Sequence, residues 1–84
     1  MADQVQELAG LVECVVRPLI EFPDELEVSS YATEDGSVMV EVRVNEEDAG
    51  KVIGRQGRVI KSVRTLARAA VSCTDTRVEV EIIE

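Results

Sequence analysis

The spacing of apolar residues changes along this chain, and each change marks a new element. From residue 3 to 17, Val5, Leu8, Leu11, Val12, Val15 and Val16 recur three and four apart, the stripe of an amphipathic helix. Asp3 is placed to cap it, and Gln6 three positions on completes a capping-box arrangement. Pro18 removes an internal hydrogen bond and disfavours helix at Arg17, and Pro23-Asp24 completes the break. The period then drops to two. Residues 26 to 33 and 37 to 44 read as strands around Glu34-Asp35-Gly36, whose Asp-Gly pair is a hairpin signal. In the second strand Val38, Val40, Val42 and Val44 share one face, expected to meet the helices, and Met39, Glu41 and Arg43 share the other. Asn45 caps a short helix with Glu46, Glu47 and Asp48 in its first turn, where negative charge suits the dipole, and with Ala49, Val52 and Ile53 as its buried edge. Past Gly54, residues 58 to 72 predict a longer helix with Val59, Val63, Leu66, Ala67 and Ala70 on one side and Lys61, Arg64 and Arg68 opposite. Thr74-Asp75-Thr76 turns the chain into a last strand, 77 to 83, with Val78, Val80 and Ile82 inward and Glu79 and Glu81 outward.

The order is therefore α-β-β-α-α-β, an α+β fold in a single domain, residues 1–84. A helical crossover between the second and third strands makes them parallel, while the hairpin is antiparallel. The result is a three-stranded mixed sheet with three helices on one face. A chain of this size buries only about 60 to 65% of the surface its unfolded form exposes. The long stripe of the first helix then predicts weak self-association. No apolar run reaches the ~18 residues of a membrane span, and the acidic N-terminus lacks the basic region of a signal peptide, which predicts a cytoplasmic protein without membrane contact. Cys14 and Cys73 stand at no metal-ligand spacing and there is no histidine, so they are expected as reduced packing residues, with neither metal nor cofactor.

Between the last two helices runs Val52-Ile53-Gly54-Arg55-Gln56-Gly57-Arg58-Val59-Ile60. Glycine accepts positive φ and lets another backbone come close, so two glycines at this spacing suit a tight turn pressed against a phosphodiester chain. The flanking apolar pairs anchor two helix ends and hold the four-residue loop out to solvent. The following helix begins with unpaired N–H groups at the positive end of its dipole, a place for an anionic oxygen. Arg55 and Arg58 add charge. A formal net charge of −8 argues against a nucleic-acid partner, but its distribution does not. From Ala49 to Thr74 lie six basic residues (Lys51, Arg55, Arg58, Lys61, Arg64, Arg68) and no acidic one, and the remainder holds three basic and seventeen acidic residues. Arg64 and Arg68 read equally well as a solvated helix face.

The stretch Val-Ile-Gly-x-x-Gly-x-x-Ile resembles the GxxG signature of the KH family, single-stranded nucleic-acid binders whose loop clamps the backbone of about four nucleotides. The element order is similar to the type II KH arrangement, and the resemblance covers the whole chain. It extends, through Gly50-Lys51-Val52-Ile53-Gly54-Arg55-Gln56-Gly57-Arg58, to the small bacterial single-KH proteins described as RNA chaperones. What this implies is a single-stranded RNA binder, acting as an RNA chaperone or post-transcriptional regulator. It also implies a homodimer, or a heterodimer with a larger KH-containing RNA-binding protein. Carried over by position, Gly54, Arg55, Gln56 and Gly57 are the phosphate clamp, Ile53, Arg58 and Val59 border the base-binding groove, and Lys51 and Lys61 supply flanking charge.

Two other readings can be weighed on composition. Recognition through the sheet, as in an RRM, needs stacking aromatics, but only Phe22 and Tyr31 are present and Glu27, Glu41, Glu79 and Glu81 would repel phosphate. Catalysis lacks a histidine, a nucleophile beside a base and a phosphate-binding Walker motif, so a non-enzyme is expected. A protein-interaction module with incidental RNA binding stays open, because no aromatic is placed to stack a base.

Overall fold

A computed structural model describes residues 2–71 and 77–83, with side chains from Val5 onward. The elements are α1 (Ala2–Val16), β1 (Glu27–Ala32), β2 (Val38–Arg43), α2 (Glu46–Ile53), α3 (Arg58–Ala70) and β3 (Val78–Ile83). This is the expected α-β-β-α-α-β order, with ends a residue or two from the expected ones. The Asp3 cap, Cys73 and the Thr74-Asp75-Thr76 turn lie outside the described residues. Pro18 and Pro23 sit in two short 3-10 turns, Arg17–Leu19 and Pro23–Glu25, which carry the chain from α1 to the sheet.

The sheet order is β1-β2-β3, with β1 antiparallel and β3 parallel to the central β2. Thr33 and Ser37 close the hairpin, with Thr33 N–H donating to Ser37 O at 2.8 Å. Asp35 accepts from Ser37 N–H at 3.0 Å and from the Thr33 hydroxyl. The Thr33 bond first, then those from Ser37, hold the Asp35 carboxyl down to about 2. Val38, Val40, Val42 and Val44 are all buried, as are Val78 and Val80 opposite them, so the alternation in the sequence does face the helices. Pairing of Val28 with Val42 and Ser30 with Val40 puts Val28 and Ser30 on the same side, beneath α1.

Four expectations are corrected. Most of the α1 stripe is consumed by the protein's own core, with Leu8, Val12 and Val16 fully buried and Val5 and Val15 packed against them, which leaves only the half-buried Leu11 of the stripe outside it. On α3 the buried residues are Ile60, Val63 and Ala67, followed by Val71, while Leu66 is 48% exposed and Ala70 is exposed. Two apolar arcs overlap on this helix, sharing Val63 and Ala67, and the one that turns inward carries Ile60 and Val71. Cys14 is exposed rather than packed. Ile53 is 38% exposed at the end of α2, so that of the expected apolar edge Ala49 and Val52 alone are buried.

Asp48 has a role the dipole argument missed. Its side chain is fully buried and accepts from the backbone N–H groups of Glu21 (3.0 Å) and Phe22 (2.9 Å), tying the segment between the two 3-10 turns to α2. Burial by itself would raise the carboxyl, but these two amides and Lys51 outweigh it and hold the pKa below the usual carboxylate value. Asn45 caps α2 as expected, its side chain accepting from Glu47 N–H at 2.8 Å.

Candidate nucleic-acid interface

The loop between α2 and α3 is built by backbone that only glycine accommodates at its first position. Gly54 ends α2, its N–H donating to Gly50 O at 2.8 Å, and takes φ 78° and ψ 174°. A Cβ there would stand 2.4 Å from Val59 Cγ2 and 2.9 Å from Val59 N, so the loop presses onto the first turn of α3. Arg55 to Gly57 form a single 3-10 turn, with Gln56 at φ 58° and Gly57 at φ 74°. Gly57 N–H donates to Gly54 O at 3.2 Å, closing the turn.

Around this turn the described cations are uncompensated. Arg55, Gln56, Arg58 and Lys61 are exposed, and the three basic side chains make no ion pair with a described carboxylate. Arg58 Nη2 donates to Gln56 Oε1 at 3.3 Å. Lys61 Cε lies 4.0 Å from where a Cβ on Gly57 would be, so its stem runs back over the loop. No side chain caps α3 and no acidic residue occupies its first turn, which leaves the positive end of the helix dipole facing the loop. Val59 supports Gly54 from behind rather than facing outward, being half-buried against the core. Lys51 is elsewhere engaged, with Nζ 2.8 Å from Glu21 and 3.7 Å from Asp48. Its hydrogen bond to Glu21 above all raises its pKa, against the opposing effect of burial, so its charge is held but neutralised.

From the loop a groove of about 380 Å³ runs between the helices and β3, lined by Ile53, Ile60, Arg64, Val80, Glu81 and Ile82. The partial exposure of Ile53 is thus the floor of this groove. Its far wall is the free edge of the sheet. Val38 N–H and Val44 N–H bond to Arg77 O and Ile83 O, so these odd-numbered carbonyls face β2 and those of Val78, Val80 and Ile82 face outward. Arg64 Nη2 and Arg68 Nε donate to Val80 O and Val78 O, each at 3.4 Å. The two arginines therefore lie along the β3 edge and are not a face opposite the core, which corrects the helical-wheel placement. The sequence noted Ile60 as a flanking apolar residue and Arg64 as one of six cations but placed neither at the site, and it did not single out the β3 edge; the strand's edge position follows from its being last in a three-stranded order.

The KhpA/KhpB KH-domain profile matches residues 9–82. The chain belongs to the KhpA/KhpB KH-domain family. Within it, the RNA-binding protein KhpA of Clostridium acetobutylicum is 45% identical over 73 residues, covering 87% of this chain and 96% of that protein. KhpA of Listeria monocytogenes is 39% identical over 74 residues, 88% of this chain and 96% of the relative. KhpA of Caldanaerobacter subterraneus is 42% identical over 76 residues, 90% and 100% respectively. Among solved structures, Aquifex aeolicus Era bound to GDP and an aluminium fluoride aligns with a TM-score of 0.65 at 16% identity, covering 94% of this chain and 31% of that one. That likeness concerns the fold alone. The type II KH arrangement of this KhpA/KhpB-family chain is thus met by both its sequence and its topology. No helix among the described residues is long and apolar enough to cross a membrane.

Proposed function

We propose that this chain binds single-stranded RNA without catalysing a reaction on it, gripping the backbone with Gly54, Arg55, Gln56 and Gly57. The observation that carries the reading is the loop itself: a glycine turn pressed onto the first turn of α3 at Gly54 and open at Gly57, at a helix start without a side-chain cap, among three cations that form no ion pair with the described residues. Phosphate oxygens suit such a helix start, because its dipole favours negative charge there even with the Arg58 N–H engaged by Arg55 O. The relatives' name, RNA-binding protein, supports the same reading. Arg58 and Lys61 flank the grip and Ile53 floors the groove beside it. Lys51 contributes least, since Glu21 and Asp48 already balance it. A grip on the backbone accepts many sequences, which fits a cytoplasmic RNA chaperone or post-transcriptional regulator.

Replacing Arg55 and Gln56 with aspartate alters only exposed positions and leaves both glycines in place. Folding is expected to survive, and affinity for a short single-stranded RNA at ~0.15 M salt is expected to fall by at least ~2 kcal/mol, about thirtyfold, from one lost charge-assisted contact plus repulsion. A folded double variant that binds as wild type rules out residues 54 to 57 as the site.

A second function, compatible with the first, is association with another copy or with a larger KH-containing RNA-binding protein. Leu66, 48% exposed on α3 beside the exposed Ala69 and Ala70, favours it, because small neighbours let a second helix approach a protruding leucine. Sedimentation over a wide concentration range is expected to show a mass increase that Leu66→Asp abolishes. A wild-type monomer throughout leaves only the hetero-partner form.

A further inference from the structure

Arg64 is the one polar side chain of the groove that its surroundings satisfy poorly. Its Nη2 reaches Val80 O only at 3.4 Å, and its Nε is shut from solvent with no hydrogen-bond partner among the described residues. It makes no ion pair with a described carboxylate. A buried donor left unpaired is costly, so a guanidinium held this way loses little by turning to a better acceptor. The groove beside it is floored by Ile53, Ile60 and Ile82, flat apolar material on which a planar ring can lie. Its other wall is the β3 edge, where the backbone of Val80 and Ile82 has no strand to pair with.

Building on the RNA-binding reading above, we propose that Arg64 is a specificity-determining residue that selects, at this groove, a base presenting a carbonyl oxygen next to a ring-nitrogen acceptor. A planar guanidinium donates two parallel N–H bonds and accepts none, so it matches two adjacent acceptors. Cytosine offers that pair as O2 and N3, and guanine offers it as O6 and N7. Adenine has no carbonyl, and the two carbonyls of uracil flank an N3–H donor that would confront the guanidinium. The apolar floor adds stacking area without preference, and Glu81, the groove's other charged side chain, belongs to the outer face of the sheet, leaving discrimination to Arg64. Arg68 differs: it is held by Glu79 at 4.0 Å as well as by Val78 O, and lies further along α3.

The test uses the whole chain and a set of short oligouridines, each with one central position changed to cytidine, guanosine or adenosine. Wild type is expected to bind the cytidine or guanosine oligomer at least about fivefold more tightly than the adenosine or all-uridine ones, the lower range for one bidentate base contact. Whichever of cytidine and guanosine is preferred identifies the edge that is read. Arg64→Met, with its thermal midpoint checked, is expected to bring the four affinities together while uridine binding changes little. Arg64→Lys keeps the charge but not the fork and is expected to lose the preference too. An equal loss for all four RNAs in Arg64→Met would make Arg64 a phosphate contact, and a wild type that binds all four alike would equally overturn the proposal. In both cases wild type still binds RNA, so the failure is distinct from that of the RNA-binding reading, in which wild type binds none of the four oligomers.

Discussion

Gly54 and Gly57 look equivalent in the sequence, yet only one of them is fixed by its neighbours. At Gly54 both the backbone angles and the 2.4 Å approach of Val59 Cγ2 forbid a side chain, whereas at Gly57 the nearest atom to a new Cβ is 3.9 Å away and only the φ of 74° opposes it. Gly54→Ala is therefore expected to cost about 3 kcal/mol, combining a glycine-only conformation with an overpacked contact. Gly57→Ala is expected to cost about 1 kcal/mol, that of a left-handed residue alone. Urea unfolding of the two variants checks the order; equal losses would mean that Val59 yields. Gln56 already occupies the left-handed region with a side chain, so the turn tolerates one there. The motif was legible because glycine spacing, flanking apolar pairs and charge coincide within nine residues. What was not legible is that Val59 serves Gly54, since a contact between residues five apart across a turn leaves no periodic trace.

Among the elements, strict alternation was the most trustworthy signal. In β2 every second residue is buried, and Val40, fully buried between β1 and β3, can shed no cost by moving to the surface. Val40→Asp is expected to abolish the cooperative thermal transition. A lone buried carboxylate loses several kcal/mol, against about 5 to 10 kcal/mol of total stability for a domain of this size. Glu41→Lys, one residue along on the outer face, is expected to leave the midpoint nearly unchanged or raise it, because Glu41 stands directly beside Glu81 on the parallel neighbour. Helix faces were less legible than strand faces. In α3 a rotation of one position exchanges Leu66 for Ile60 at the core, and hydrophobicity alone cannot choose between them. The same uncertainty hid the groove: the sequence left Arg64 and Arg68 balanced between a solvated face and a binding role, and nothing in it says that β3 runs beneath them. Asp48 was misjudged for a related reason, as its partners are the amides of residues 21 and 22, more than twenty positions away.

At the scale of the whole molecule, the described residues put Arg55, Arg58 and Lys61 around the loop while Glu27, Glu41, Glu79 and Glu81 lie on the outer face of the sheet. The molecule measures 34 × 24 × 20 Å, and that length has a kinetic consequence. At ~0.01 M salt the screening length is about 30 Å, so an approaching RNA meets the field of the entire chain, whose formal charge of −8 repels it. At ~0.1 M it is about 10 Å, and the RNA meets only the face it is nearest to, which at the loop attracts it. Raising salt from very low values should therefore speed encounter before further salt slows it. Stopped-flow association rates are expected to pass through a maximum with ionic strength, while dissociation rates rise throughout. A monotonic fall in the association rate would mean that the acidic side is never felt, and that the domain meets RNA as if its basic face stood alone.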